Sequence, residues 1–321
     1  MLRKKGGRIT DPGVIFPYSI GDGLRYKRTA AKAMPSFGEV PMSVTNSPDS
    51  AKPAFYPHQD MGARRFGRVN WLGLWTLAER ETRRFMAVWQ QTVAAPLVTA
   101  GLFLAVFSLA LGANRGPVMG VPFIAFLAPG ILMMSVIQNA FANTASSIVG
   151  AKVMGNIVDT LMPPLSPAEL VVGFLAGGVA RGMLVAVVIV LGTGLALGLW
   201  PANPLWLLAI ILTGSCMLGA LGIAAGILAQ KFDQIAAITN FVVTPLSFLS
   251  GTFYTIEALP PVMAAISHAN PIFYLIDGAR YGYLGRSDSD PVLGLLVTVG
   301  TTFGLALLSW VWLRRGYRLK P

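Results

Sequence analysis

Beyond residue 92 the sequence consists mainly of apolar runs, almost without charge, that are about as long as a bilayer is thick. Six such runs occur, at 93–112, about 121–142, 170–200, about 205–228, about 235–256 and 292–313. A transmembrane helix needs about 20 consecutive, mostly apolar residues. The sequence therefore predicts an all-α integral membrane protein with six transmembrane helices.

The composition supports this class and excludes several others. Charged residues make up 12% of the chain and the mean hydropathy is +0.61, whereas soluble domains carry about 25% charged residues. Cys216 is the single cysteine, and His58 and His268 lie far apart. No disulfide framework, metal site or Ser/His/Asp set is expected, so we expect no catalytic residue and no cofactor bound by this chain.

Basic residues are distributed unevenly, and this distribution predicts the orientation. Of the 25 Lys and Arg residues, 15 precede the first run and four lie in the last eight residues. With both termini in the cytoplasm, the inner segments carry 21 of them, including Lys152 and Lys231, and the outer segments carry three. This agrees with the positive-inside rule. The net charge of +11 therefore indicates a cytoplasmic membrane surface and no nucleic-acid partner.

The chain before the first run divides into two segments. Residues 1–60 are rich in Pro, Gly, Ser and charge, a composition typical of disorder, and we expect a cytoplasmic tail there. Met61 opens a different segment, so translation from either Met1 or Met61 fits the sequence. The expected domains are then 1–60, an amphipathic segment at 61–92, a six-span domain at 93–313 and a basic cytoplasmic tail at 314–321.

The segment NWLGLWTLAERETRRFMAVWQQT (70–92) combines aromatic and basic residues at nearly helical spacing. Aromatic residues opposite basic residues are typical of a helix that lies in the headgroup layer. An ordinary soluble amphipathic helix has the same pattern. Because this segment leads directly into a span, we favour an interfacial helix that contacts membrane lipids.

The longest inner connection is NTASSIVGAKVMGNIVDTLMPPLSPAE (143–169). It contains a short helix-like piece at about 147–161 that carries Lys152, Asn156 and Asp159, and prolines follow it. A short amphipathic helix of this kind either docks in a groove of a partner protein or simply connects two spans, and the residues alone favour neither alternative.

Arg181 is a charge inside the third run. If the span begins near Gly182, the side chain snorkels to the cytoplasmic interface. If the span begins at Leu170, Arg181 lies about 16 Å deep at 1.5 Å per residue. A charge at that depth is expensive and marks a functional site.

The stretch HANPIFYLIDGARYGYLG (268–285) places polar residues among aromatic ones before the last run. Prolines divide this region into two short apolar pieces, 261–268 and 271–284, which are too short to span. They are expected to be helices that dip into the membrane from the outer face and return. Asn270 and Pro271 form a good helix start, and Asp277 and Arg280 at i and i+3 are expected to pair.

Residues 248–285, FLSGTFYTIEALPPVMAAISHANPIFYLIDGARYGYLG, resemble the C-terminal signature of type-2 ABC transporter permeases. The matching residues are Ser250, Gly251, Phe253, Leu259, Pro260, Asn270, Pro271, Tyr274, Arg280 and Gly285. The segment LAPGILMMSVIQNAF (127–141) resembles the second span of the same family, and the resemblance covers about residues 70–315.

This resemblance implies an ATP-driven exporter in the inner membrane. Two copies of the permease would pair, and each would dock on a separate cytoplasmic ABC ATPase subunit that binds the ATP. Residues 70–92 would be the elbow helix, and 147–161 the coupling helix that contacts the ATPase. The sequence contains no G-x-x-x-x-G-K-[ST] phosphate loop, which agrees with nucleotide binding in a partner subunit.

Other functions remain to be weighed against this one. The cargo of an exporter would be a polysaccharide, a lipid-like molecule or a drug-like molecule, and the sequence does not separate these. An ATP-independent secondary transporter or channel is the main alternative. A membrane-embedded enzyme would have to rely on His268 and Asp277 alone, which makes it the weakest hypothesis.

Overall fold

A computed structural model of the chain describes residues 69–111, 116–256 and 259–319. The predicted tail at 1–60 and Met61 lie outside these residues. The described part contains eleven α-helices. They are α1 (Trp71–Met86), α2 (Ala95–Leu111), α3 (Phe123–Val153), α4 (Ile157–Leu161), α5 (Pro167–Leu197), α6 (Pro204–Leu228), α7 (Phe232–Ile238), α8 (Thr244–Phe248), α9 (Pro261–Ala269), α10 (Pro271–Leu284) and α11 (Pro291–Arg315).

Five of these segments are long and apolar enough to cross a membrane within the described residues. They are Gln90–Phe107, which consists of a π-helical turn at Gln90–Ala94 and most of α2, and the helices α3, α5, α6 and α11. Each corresponds to one of the predicted spans. The protein is therefore largely helical with several candidate membrane spans, as the apolar runs predict.

The predicted fifth span (235–256) has a different form. Helices α7 and α8 are joined by a π-helical turn at Thr239–Val243, and the combined helical segment ends at Phe248. Pro245 lies in the first turn of α8 and cannot donate a main-chain hydrogen bond. The segment from 232 to 248 is about 25 Å long at 1.5 Å per residue, so a count of six spans stays a prediction.

The core is formed by α3, with α5 and α6 packed against it. Glycines allow these helices to approach closely: a Cβ at Gly222 would lie 2.1 Å from Thr144 Oγ1, and one at Gly178 would lie 2.9 Å from Thr144 Cγ2. Thr144 is buried and donates to the carbonyl of Gly219 at 2.8 Å. The recurring small residues of the third and fourth runs thus mark the surfaces that pack on α3.

Helix α1 lies within the predicted amphipathic segment and begins at the N-cap Asn70, whose side chain accepts from the main-chain N–H of Gly73 at 2.9 Å. Trp71 and Trp75 are 72% and 70% exposed, whereas Leu77 and Phe85 are buried. The buried side packs on α5, because a Cβ at Gly173 would lie 2.4 Å from Leu77 Cδ2. The helix is thus fixed to the bundle by one face and leaves its tryptophans exposed.

The helix expected at 147–161 is not one element. Helix α3 continues through Val153, and only Ile157–Leu161 forms a separate helix. Gly155 lies between them with a φ of +72°, a conformation that favours glycine and ends α3. Lys152 therefore belongs to the last turn of the long helix α3, Asn156 is the N-cap of the short helix α4, and Asp159 lies within α4.

The two short pieces after the fifth run are helical, with nearly the expected bounds. Helix α9 covers Pro261–Ala269 and α10 covers Pro271–Leu284. Helix α10 ends at Gly285, which adopts a left-handed φ of +68°. Pro261 and Pro271 occupy the first turn of each helix, where a missing N–H costs nothing.

Candidate functional site

Apart from Arg181, the residues singled out from the sequence fall into two centres at opposite ends of α3. Arg280 packs against Phe126, near the start of α3, and Lys152 lies in its last turn. The two positions are separated by about 39 Å along a straight helix. We call the first centre, formed by Asn270, Asp277 and Arg280 with their partners, the signature cluster.

Asn270 ties the start of α10 to the end of α8. Its Oδ1 accepts from the main-chain N–H of Ile272 at 3.1 Å, which caps α10. Its Nδ2 donates to the carbonyl of Leu246 at 3.0 Å and to Ser250 Oγ at 2.8 Å. Asn270 is nearly buried, so these bonds are shielded from water and hold the α8–α10 corner in one arrangement.

Arg280 is fully buried. Its Nη1 lies 3.1 Å from Asp288 Oδ2 and 3.6 Å from Asp277 Oδ1, and its Nη2 donates to the carbonyl of Gly251 at 2.7 Å. The guanidinium also lies 4.3 Å from the centre of the Phe126 ring. Arg280 therefore connects α10 to α3, to the turn after α8 and to the loop before α11.

Asp277 pairs with Arg280 as expected, but most of its contacts are with the loop before α11. Its carboxylate accepts from the main-chain N–H groups of Asp288 at 2.8 Å and Ser289 at 2.9 Å, and from Ser289 Oγ at 2.6 Å. Two sequence features point to these missed partners, the polar run SDSD at 287–290 and the glycine at 251. In the structure Gly251 has a left-handed φ of +77°.

The remaining signature residues are also structural. Pro271 is the first residue of α10. The Tyr274 ring lies 5.1 Å from that of Phe273 in an edge-to-face contact, and its Cβ is 3.4 Å from the Cβ position of Gly294 in α11. Tyr274 therefore packs α10 onto α11.

Lys152 closes the end of α6 at the other centre. Its Nζ donates to the carbonyls of Gly226 at 3.0 Å, Ile227 at 2.5 Å and Ala229 at 3.1 Å. The last carbonyls of a helix lack partners within the helix, and a cation is favourable there. The ammonium group of Lys152 is thus engaged inside the permease, while Asn156 and Asp159 are exposed.

An exposed apolar surface surrounds α4. We call it the exposed tip, and its residues are Val153, Met154, Val158, Leu161 and Met162. Met154 and Met162 are 75% and 76% exposed. An apolar patch next to polar residues is typical of a protein interaction site, and methionine is common on surfaces that adapt to partners.

A buried carboxylate that the sequence analysis did not single out braces this tip. Glu81 of α1 is fully buried; it accepts from Arg80 at 3.0 Å, from Arg84 at 3.1 Å and from Ser147 Oγ of α3 at 2.8 Å. Arg80 also donates to Thr160 Oγ1 of α4 at 3.1 Å. In the sequence E-R-E-T-R-R (79–84), nothing distinguishes Glu81 from Glu79. Only the packing against Gly177 in the folded chain makes Glu81 buried while Glu79 is exposed.

Arg181 lies in the middle of the continuous helix α5 and is partly exposed. Its Nε donates to Asn139 Oδ1 of α3 at 3.1 Å. Among the described residues, no carboxylate oxygen lies within 4.0 Å of the Arg181 guanidinium nitrogens, the distance that defines an ion pair. Within the same residues no group of three or more His, Cys, Asp or Glu side chains could hold a metal ion.

Comparison with known proteins assigns this architecture to a family. The family model for ABC-2 type transporters matches residues 73–284. The chain is 37% identical over 254 residues to the inner membrane transport permease YadH of Escherichia coli K12, and the aligned region covers 78% of this chain and 98% of that protein. It is 27% identical over 235 residues to nodulation protein J of Neorhizobium galegae, and that aligned region covers 71% of this chain and 87% of that protein.

The matched region extends from the first turn of α1 to the end of α10 and contains Lys152, Asn270, Asp277 and Arg280. The chain belongs to the ABC-2 type transporter membrane family, as the resemblance of residues 248–285 indicated. It is therefore a permease of an ABC transporter, a multi-pass membrane protein whose named relatives are permeases and not enzymes. Permeases of this family generally pair with an ABC ATPase.

Proposed function

We propose that this chain is the membrane subunit of an ATP-driven exporter in the inner membrane, and that it works as a homodimer with a separate cytoplasmic ABC ATPase. ATP is bound in that partner, and this chain binds no cofactor. One observation carries the proposal: a permease without a phosphate loop presents the exposed tip around α4, with Met154 and Met162 about three-quarters exposed. A partner that covers this tip would bury apolar surface.

The hydrogen bonds around α4 suggest how a movement of the exposed tip is transmitted to the membrane spans. Thr160 of α4 is bonded to Arg80 of α1, and Glu81 of α1 is bonded to Ser147 of α3. The main-chain N–H of Asn70 donates to Glu169 Oε1 of α5 at 2.6 Å, so the start of α1 is also fixed to α5. Closure of the ATPase dimer would move α4 and α1 as one body and bias the spans between two states.

The proposed membrane arrangement follows the distribution of charge. Both termini and the tip lie in the cytoplasm, α1 is an elbow helix in the headgroup layer, and the segment from α7 to α8 is the fifth of six crossings. Helices α9 and α10 are re-entrant from the outer face. The domains are the tail 1–60, the amphipathic segment 61–92, the six-span domain 93–313 and the basic tail 314–321.

Roles for the residues predicted from sequence follow from this arrangement. Asn156 and Asp159 are exposed on the tip and would contact the ATPase, whereas Lys152 would support that surface from behind through the end of α6. Asn270, Pro271, Tyr274, Asp277 and Arg280 would hold the outer end of the permease rigid. The cargo is a polysaccharide, a lipid-like molecule or a drug-like molecule.

The partner is tested by co-purification. The chain is co-expressed with candidate ABC ATPase subunits, and we expect one of them to remain bound to the wild type through affinity purification. Met154→Glu together with Met162→Glu should abolish this binding, because two charges would be buried against the partner. Met86→Glu at the end of α1, also an exposed methionine, is the matched control, because a charge is tolerated in the headgroup layer, and it should retain the ATPase.

Two results would overturn the proposal. If no ATPase co-purifies and transport by the reconstituted chain proceeds without ATP, the chain acts as a secondary transporter or a channel. If an ATPase co-purifies equally with the wild type and with the Met154/Met162 double variant, the exposed tip is not the docking surface.

A further inference from the structure

Helix α3 carries a polar face within an otherwise apolar bundle. We call Ser135, Gln138, Asn139 and Ser146 the polar face of α3, and all four are partly exposed. Their spacing of three, four and seven residues places them on one side of a helix. The opposite side of α3 is buried in the core. Asn139 Nδ2 and Ser146 Oγ donate to carbonyls of α3 itself, at 3.0 Å and 3.1 Å. The remaining hydrogen-bonding groups of this face can contact a polar ligand, which lipid tails cannot replace.

Arg181 of α5 lies against this face. Its Nε donates to Asn139 Oδ1 at 3.1 Å, and the neighbouring charge is a second cation, Arg84, which donates to Asn143 Oδ1 at 3.1 Å. Asn139 and Asn143 are one turn apart on α3. The guanidinium groups of Arg181 and Arg84 therefore donate to side chains on neighbouring turns of α3.

The positive charge of this group exceeds the negative charge. Glu81, which packs against Gly177 one turn from Arg181 on α5, already accepts from both Arg80 and Arg84. Among the described residues, this group thus contains one carboxylate, that of Glu81, and three guanidinium groups. Of these three, the guanidinium of Arg181 forms no ion pair within 4.0 Å.

The contacts of Arg181 place it at the middle of the bundle. Asn139, its partner, lies one residue from the midpoint of α3. Gly182 is the midpoint of α5, and its Cβ position lies 2.4 Å from Ser215 Oγ, one residue from the midpoint of α6. The centres of three long helices therefore meet at this level. Glu81 and Arg84 of α1 lie within about one turn of Arg181, and α1 lies in the headgroup layer in the proposed arrangement. This agrees with the shallower of the two placements of Arg181, in which the side chain reaches the cytoplasmic interface.

A second copy of this chain cannot supply the missing counter-ion from its spans. Glu169 is the one acidic residue in the sequences of α2, α3, α5, α6 and α11. It lies twelve residues before Arg181, about 18 Å along the helix. Its carboxylate accepts from the main-chain N–H groups of Ser166 and Asn70, both at 2.6 Å. Among the described residues, the spans of this chain therefore supply no carboxylate to Arg181, and an anionic ligand can pair with it.

We propose that Arg181 and the polar face of α3 bind the head group of an anionic amphiphile where the middles of α3, α5 and α6 meet, and that the exported cargo belongs to this class. That the ligand is exported rests on the proposed function, whereas binding at this site requires neither ATP nor an ATPase. A phosphate or carboxylate head accepts from the free guanidinium N–H groups, and Gln138, Asn139 and Ser135 contact the neighbouring hydroxyl or ester groups. The apolar tail remains between the surrounding aliphatic helices.

Photo-crosslinking of the chain alone tests the site. The full chain, without any ATPase, is placed in phosphatidylcholine nanodiscs with a phosphatidic acid that carries a diazirine in its acyl chain. Crosslinks are mapped by peptide mass spectrometry. We expect them on peptides of α3 around residues 135–146 and of α5 around Arg181. Arg181→Gln should lower this yield about tenfold or more, because a charged hydrogen-bond donor is lost, and Arg181→Lys should retain most of it.

Controls separate the head-group charge from other causes. Arg286→Gln, which removes an exposed arginine outside the five candidate spans, should leave the yield unchanged. If Arg181→Gln does not fold, as judged by gel filtration, Asn139→Ala replaces it, and we expect a reduction of a few fold from the loss of the amide that orients the guanidinium.

Three outcomes would overturn the proposal. The first is equal crosslinking of these peptides by a diacylglycerol probe that has the same tail and no charge. The second is an unchanged yield in a folded Arg181→Gln or Asn139→Ala variant. The third is complete displacement by excess inorganic phosphate, which would show a site for free anions. Each result is obtained without ATP, so failure here is distinct from failure to bind an ATPase.

Discussion

The signature cluster and the exposed tip lie at opposite ends of α3 and are built in opposite ways. At the cluster, Arg280 and Asp277 are almost completely buried and their charged groups are bonded within the chain. At the tip, Met154, Val158 and Met162 are more than half exposed, and the bonded residues, Arg80 and Thr160, lie behind them.

This difference separates a scaffold from an interface. The residues with the most recognisable sequence pattern hold one another and leave nothing for a ligand to contact. The residues with the weakest pattern, a few methionines and aliphatic side chains on either side of Gly155, are exposed. In the proposed function the family signature therefore marks the rigid part of the permease, while the contact with the ATPase is made by exposed residues that have no signature.

The largest effect on stability is expected at the cluster. Arg280→Ala would leave the carboxylates of Asp277 and Asp288 without their shared cation in a buried site. Breaking one partner of a buried ion pair costs about 3–5 kcal/mol, so we expect a large fall in the midpoint of thermal unfolding in detergent, and with it a loss of transport.

Arg286→Ala is the matched control for Arg280. Arg286 is exposed and donates to the carbonyl of Met119, and we expect its removal to change the unfolding midpoint little. Equal midpoints and wild-type transport in both variants would show that the cluster is not the rigid end of the molecule.

A second, smaller effect is expected behind the tip. Glu81→Gln removes the charge that Arg80 and Arg84 share and keeps the shape of the side chain. Hydrogen bonds to a buried charged group contribute about 1.5–3 kcal/mol, and we expect a loss of stability in this range together with a weaker link between α1 and α3. Unfolding in mixed micelles measures the loss of stability, and protease accessibility of α1 measures the weaker contact between α1 and α3.

Glu79→Gln tests whether burial is the cause. Glu79 lies two residues away and pairs with Arg83 at 2.5 Å on the surface of α1. Exposed ion pairs contribute about 0–1 kcal/mol, so this variant should resemble the wild type. A Glu79 variant as unstable as the Glu81 variant would mean that charge balance on α1, and not the buried hub, controls its docking.

Much of the fold was predictable because apolar runs set the length of membrane helices. Helix α6 and helix α11 begin and end within two residues of the predicted runs, since Pro204, Pro291 and the arginines at 314–315 mark their ends. The proline and Asn270 signals also located α9 and α10. These features are local, and the sequence carries them directly.

The candidate sites were predicted less well because they depend on contacts between distant residues. Glu81 resembles Glu79 in sequence and differs only through its packing on α5, 96 residues away at Gly177. Lys152 was expected in a separate loop helix, but α3 continues to Val153 and directs the ammonium group to the carbonyls of α6. Neither the break at Gly155 nor the end of α6 beside it could be inferred from charge spacing.

The smallest effects on stability distinguish two residues that the sequence grouped together. Lys152→Glu removes three hydrogen bonds to the end of α6 and places an anion beside helix carbonyls. We expect a loss of about 1–2 kcal/mol in the free energy of unfolding. Asp159→Lys, on the exposed side of α4, should change it by less than about 0.5 kcal/mol.

Coupling of ATP hydrolysis to transport should respond differently from stability at these two positions. Both variants are expected to uncouple the two processes, Asp159→Lys by changing the contact surface itself and Lys152→Glu by displacing the α3–α4 turn that supports it. The measurement is the ratio of ATP hydrolysed to cargo moved in proteoliposomes containing the permease and its ATPase. Unchanged ratios in both variants would remove the tip from the ATPase interface, and an effect of Lys152 alone would move that interface toward the end of α6.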